Sequence, residues 1–183
     1  MQPSNSEAMR RRVRRLARAA EWLAILGIAI VAVYEIYLLI DPAELLRYLR
    51  RGVPEAANGV PAPGMLTWAW VADLVPVGLF LIAMVLVVKL FRRLRSATFF
   101  HPDVPRLLTR IGHLTVASAV AAIVSRTLVG LALTSGNPPG QRQFIVSFSS
   151  GDITSLITGL LLLAFALVMQ EALRIDEENR SFL

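Results

Sequence analysis

The sequence contains no cysteine and a single lysine, Lys89, and only 17% of its 183 residues are charged. Without a thiol, disulfides, thiolate metal sites, thioether haem attachment and cysteine nucleophiles are excluded, while the redox compartment stays open. Scarce charge excludes more. A soluble domain carries about 25% charged residues. With 55% hydrophobic residues and a mean hydropathy of +0.58, this chain cannot clothe itself in a polar surface. Intrinsic disorder needs the opposite composition. Histidine is also rare: His101 and His113 each lack a second nitrogen ligand at metal spacing, so no metal is expected. No phosphate loop, dinucleotide fingerprint, HExxH or nucleophile elbow occurs. Ser118 and Ser125 have no base near them in sequence, and the pair Glu177-Glu178 reads as solvated charge. The chain therefore reads as non-enzymatic, with no cofactor.

What it does contain is long apolar runs. Four segments, at about 22–40, 66–90, 111–133 and 153–173, reach the roughly 20 apolar residues that cross a bilayer. None alternates with period two as a strand would, and isolated strands would leave backbone groups unpaired in lipid. The expected fold is all-α: a polytopic membrane protein with four transmembrane helices in an antiparallel bundle, forming one domain over residues 1–183. The first run is longer than a cleaved leader's apolar region, contains Glu35 and is followed by no small-x-small cleavage site, so it reads as a retained span.

Orientation follows the basic residues. Fourteen flank the spans on one side, in the N-terminal segment, the 91–110 connection with its borders, and the tail; four (Arg47, Arg50, Arg51 and Arg142) lie on the other. That bias places both termini in the cytoplasm, and the net charge of +6 is topological rather than a sign of nucleic-acid binding. Trp22 falls at an inner interface and Trp68 and Trp70 at an outer one, the depths tryptophan prefers. The dissenting arginines 47–51 sit in a short amphipathic helix, 42–51, whose Leu45, Leu46 and Leu49 are expected on the membrane surface.

Three ionisable residues lie inside the spans: Glu35, Asp73 and Arg126. A charge at the bilayer centre costs about 2.5–3.5 kcal/mol, so such residues face a partner or a cavity. Counted from the outer ends of their spans at 1.5 Å per residue, they lie about 8, 11 and 11 Å deep, in one layer. Their faces carry small residues, Ala119 and Ala122 beside Arg126 and Ala24 and Gly27 beside Glu35, which let helices approach. A comparable stripe in the last span is Ser155, Gly159, Ala166 and Gln170. One reading is an ion pair of Arg126 with Glu35 or Asp73 that fixes helix register. The other is a binding or proton-carrying site. Pro76, one turn past Asp73, interrupts backbone pairing there.

The loops are rich in turn residues. Gly59-Val60-Pro61-Ala62-Pro63-Gly64 and Gly136-Asn137-Pro138-Pro139-Gly140 predict irregular connectors. Phe144, Val146 and Phe148 alternate with Gln143, Ile145 and Ser147, which predicts an extended stretch packed on the helix ends, and Ser150 or Asp152 is the expected cap of the last helix. The inner connection holds Phe99 and Phe100, with Asp103 as cap. At 100° per residue Arg10, Arg11, Arg14, Arg15 and Arg18 occupy an arc of about 140°, opposite Met9, Val13, Leu16 and Ala20. A basic amphipathic helix over 9–20 is therefore expected, drawn to anionic phospholipid by roughly 1 kcal/mol per basic residue, or docking an acidic cytosolic partner.

Phe99-Phe100, the run Pro105-Arg106-Leu107-Leu108-Thr109-Arg110-Ile111-Gly112, Ser149-Ser150-Gly151-Asp152-Ile153 with Gly159, and the tail Glu171-Ala172, Glu177-Glu178-Asn179 and Phe182 resemble a bacterial family, domain of unknown function 2975. The motifs lie in residues 99–183; the arginine-rich start and proline-rich first loop lie outside that pattern. The resemblance implies a small four-span protein of the bacterial inner membrane. Family members are often encoded beside a small helix-turn-helix regulator, which implies a cytosolic partner contacted by Glu177, Glu178, Asn179 and Phe182 together with the basic helix. Two functions are thus expected in parallel: a regulatory or interaction role, or a small transporter or ion-handling protein using Glu35, Asp73 and Arg126. Four helices are few for a solute path, so transport would call for a homo-oligomer.

Overall fold

The computed structural model describes residues 5–95, 103–142 and 144–181, with side chains over 15–178 of these. Five α-helices and one short 3-10 turn make up its regular structure: α1 (Asn5–Ile40), α2 (Pro42–Gly52), the 3-10 turn Pro54–Ala56, α3 (Met65–Arg95), α4 (Asp103–Leu133) and α5 (Ser150–Ser181). α1, α3, α4 and α5 are long and apolar enough to cross a membrane. Each exceeds 30 residues. At 1.5 Å per residue that is about 45 Å or more, longer than the roughly 30 Å hydrocarbon layer of a bilayer.

The long helices pack in a row, α1 on α3, α3 on α4 and α4 on α5; no Cα of α1 comes within 8 Å of α4 or α5 among the described residues. Contacts ascend along one helix as they descend along its neighbour. Arg93 meets Asp103, Pro76 meets Ser118, and Asp73 meets Ser125. This row leaves much of α1 and α5 covered only by leucine, isoleucine, valine and phenylalanine side chains, such as Leu26, Ile30, Leu160 and Phe165. An apolar surface of that extent is tolerated where lipid is the solvent. Between α4 and α5 the contact is close enough to need glycine. A Cβ on Gly159 would sit 2.6 Å from Val116 Cγ2, and one on Gly112 would sit 3.0 Å from the Gly159 carbonyl oxygen.

The basic stretch 9–20 is helical, but it is the start of α1 rather than a separate element. At the end of the bundle where α1 begins and α5 finishes, which the arginine bias assigns to the inner side, Glu21 of α1, 7% exposed, accepts from Arg92 (2.8 Å) and Arg95 (3.1 Å) of α3. The two arginines counted for topology thus also clamp the first two spans. Nearby, Leu90, Val104 and Ile111 form an inner apolar core.

The opposite end, which the same bias assigns to the outer side, is built from loops that lock together. Asp41 caps α2 by accepting from the Ala43 and Glu44 N–H groups (2.9 and 3.2 Å), and Pro42 supplies a first position that needs no donor. α2 lies over the helix ends. Leu45 and Leu49 face inward onto Leu38, Val53, Ala69, Val129 and Leu133, and Leu46 is partly buried against the same core. The expectation that these leucines lie on lipid is corrected: protein covers them, because the ends of α1, α3 and α4 supply the apolar surface. The two proline-glycine loops then bond to each other. Gly136 N–H donates to Val60 O (2.8 Å), Val60 N–H to Asn137 Oδ1 (3.0 Å) and Ala62 N–H to Ser135 Oγ (2.9 Å). A Cβ on Gly136 would stand 2.6 Å from the Val60 oxygen, so that approach requires glycine.

In the stretch before α5 the alternation expected from sequence is present with the opposite sense. Ile145 packs on the outer core, whereas Phe144 and Phe148 are about 70% exposed, and no strand forms among the described residues. Gln143, Phe99, Phe100 and His101 lie outside the described residues. The cap of α5 is Ser149 rather than Ser150. Its Oγ accepts the Asp152 N–H (3.3 Å) while Asp152 Oδ2 accepts the Ser149 N–H (2.7 Å), a reciprocal capping box.

Candidate functional site: an acidic crevice in one half of the bundle

The row of helices leaves a crevice over α3, between α1 and α4. It has a volume of about 480 Å³, and Glu35, Asp73 and Arg126 all line it. The three residues that the sequence puts in one layer thus line one crevice. Each charge is placed by a different helix: Glu35 by the inward stripe of α1 that also carries Ala24, Val31 and Leu38, Asp73 by α3, and Arg126 by the small-residue face of α4.

Their pairing differs from both sequence alternatives. Arg126 bonds neither to Glu35 nor to Asp73; its guanidinium pairs with Asp152 in the first turn of α5. The physical reason is competition. Asp152, 5% exposed, is fixed by the Ser149 N–H and by the positive end of α5, and a carboxylate held there gains most from a cation beside it. Arg126 Nε stays buried without a partner. Asp152 was legible as an inward residue, since it stands three positions before Ser155 on the same helical face.

The two remaining acids are held by neutral donors. The Trp70 indole N–H donates to Glu35 Oε2 (3.2 Å). The Tyr48 hydroxyl donates to Asp73 Oδ2 (2.8 Å) and Ser125 Oγ to Asp73 Oδ1 (3.3 Å). Neither acid forms an ion pair within 4.0 Å among the described residues. Trp70, expected at the interface, and Ser125, set aside as a nucleophile for want of a nearby base, are thus donors to the two acids. Pro76 lacks an N–H for the Ala72 carbonyl, and Ser118 Oγ donates to the Pro76 oxygen (3.1 Å), tying α4 to α3 at the floor.

Tyr48 comes from α2, and sequence reasoning missed it because that helix was assigned to the membrane surface. Its ring meets Tyr34 edge-on, with centroids 5.7 Å apart. Burial, then the neighbouring Asp73 charge and hydrogen bond, push its hydroxyl well above the ordinary phenol range, so it remains a donor. Tyr48, Asp73 and Arg126 also line a second cavity of about 350 Å³ on the far side of α2's tyrosine, beside Arg51 and Gly52. The crevice and this outer cavity share one wall.

The expected cytosolic contacts are not brought together with the site. Arg15, Arg18, Glu177 and Glu178 are exposed at the inner ends of α1 and α5. The side chains of Arg10, Arg11, Arg14 and Asn179, and all of Phe182, lie outside the described residues.

These features define a helical membrane protein with four candidate spans and a polar crevice in one half of their length. The chain belongs to the family described as protein of unknown function (DUF2975), whose model matches residues 11–181. The match takes in the arginine-rich start and the first outer loop, beyond the motifs of residues 99–183. No curated protein and no solved structure matches the chain.

Proposed function

We propose that this is a non-enzymatic protein of the bacterial inner membrane, with both ends cytoplasmic, that binds a cationic species from the outer side in the crevice. The reading rests on one observation: a cavity of about 480 Å³ reaches Glu35 and Asp73, while the charge of Arg126 is taken by Asp152. Three acids against one base leave two negative charges when all are ionised, and low-dielectric walls focus that field on whatever enters. A purely scaffolding or regulatory part would need no cavity reaching its charges, so the geometry favours binding over the regulatory role. Transport would need a second opening of the same cavity or a partner copy.

The absence of native cysteine makes a direct test available. Ala122→Cys places a thiol on the α4 wall of the crevice. Trimethylammonioethyl methanethiosulfonate, a cation, should modify it about tenfold or more faster than the anionic sulfonatoethyl reagent, once each rate is divided by that reagent's rate with a free thiol in solution. Glu35→Gln with Asp73→Asn should level the two rates. Equal rates in the parent, or no reaction with either reagent, would contradict the proposal.

A further inference from the structure

The walls of the crevice say more about what it takes. Resting on the cation-binding reading above, the geometry points to an amphiphilic organic cation as the ligand class, rather than a bare inorganic ion or a proton. Three observations support this. First, size: an inorganic cation is held by several oxygen ligands at about 2.3–2.6 Å, whereas this space of about 480 Å³ is that of a small-molecule pocket. Second, lining: beside the two carboxylates stand the rings of Tyr34, Tyr48 and Phe80, and aromatic faces attract weakly hydrated organic cations. Tyr34 and Tyr48 are already set edge to face. Third, access: no Cα of α1 comes within 8 Å of one in α4 among the described residues, which leaves the crevice open sideways between them, where lipid would stand, and Ile30, Val31 and Val77 give it apolar wall beside the acids. An amphiphile entering from the bilayer would place its apolar body there and its charge at the acids.

Neutral hydrogen-bond donors hold both acids without neutralising them, which keeps them available to a cationic ligand. An anionic amphiphile is a poor fit despite equal hydrophobicity, because Arg126, the cation in this lining, is already paired with Asp152 and the two remaining charges are carboxylates.

The test uses the full chain in detergent and a pair of probes matched in shape but opposite in charge. Equilibrium dialysis should find saturable binding of tetraphenylphosphonium and none of tetraphenylborate. Asp73→Asn and Glu35→Gln should each weaken tetraphenylphosphonium binding about tenfold or more. Tyr34→Ala, a partly exposed ring whose loss spares the fold, should weaken it about two- to thirtyfold while leaving the charge preference at Ala122→Cys intact. Equal binding of tetraphenylborate would overturn the inference, since hydrophobicity alone would then be recognised. If tetraphenylphosphonium fails to bind while the thiol still prefers the cationic reagent, the organic-cation inference falls and the cation-binding reading stands. If both signals are absent, both fall.

Discussion

Arg126→Ala should cost about 3–5 kcal/mol, measured as lost yield and a lowered thermal midpoint in detergent. The substitution strands the Asp152 carboxylate, which is 5% exposed and keeps Ser149 as its partner among the described residues. Removing both charges should cost far less. Arg126→Met with Asp152→Asn retains an oxygen for the Ser149 N–H and should recover most of the stability, because a buried pair is costly to break and cheap to replace. If Arg126→Ala were as stable as the parent, the pair would contribute nothing to folding, and the crevice would need another explanation for its net negative charge.

The second large effect lies at the α4–α5 seam. Gly159→Val and Gly112→Val should each destabilise by about 1–3 kcal/mol or more, since overpacking against backbone cannot be relieved by a rotamer change. The Cβ of residue 159 would fall 2.6 Å from Val116 Cγ2 and 3.0 Å from the Gly112 oxygen. Gly78→Ala is the control: nothing lies within 4 Å of a Cβ there, and alanine favours helix. Loss of stability in Gly78→Ala comparable to that in Gly159→Val would mean that the seam is not where the structure puts it. A shift of α5 would also move Asp152, so the seam mutants should weaken cation binding along with stability.

Much of this was legible in the sequence because lipid imposes simple rules. Four apolar runs gave four helices; the start of α1, the end of α3, the start of α4 and the end of α5 run on by about one to five turns through charged residues, while the other four ends fall within three residues of those expected. The depth count from 1.5 Å per residue placed Glu35, Asp73 and Arg126 in one layer, and they line one cavity. Small-residue stripes marked the inward faces; Gly159 and Ala166 are buried as that pattern requires. Pairing was harder to read. Opposite charges at equal depth suggested Arg126 with Glu35 or Asp73, but a long arginine side chain reaches beyond its own layer, and the helix end of α5 offered a better-fixed carboxylate. α2 shows the other limit. Its amphipathic pattern identifies an apolar face without saying whether lipid or protein covers it. Folded back on the ends of the spans, that face buries Leu45 and Leu49 and delivers Tyr48 to Asp73. Long-range packing of this kind leaves no local trace, which is also why the Glu21 clamp on Arg92 and Arg95 passed as ordinary topological charge.

If the chain crosses a membrane with its acidic crevice in the half away from the cytoplasm, its first outer loop and its tail face opposite compartments. Single cysteines at Val60, exposed in the first outer loop, and at Glu177, exposed near the end of α5, test it directly. A membrane-impermeant maleimide should label Val60→Cys in intact cells and Glu177→Cys only after the membrane is opened. Labelling of Glu177→Cys in intact cells, with or without Val60→Cys, would contradict it.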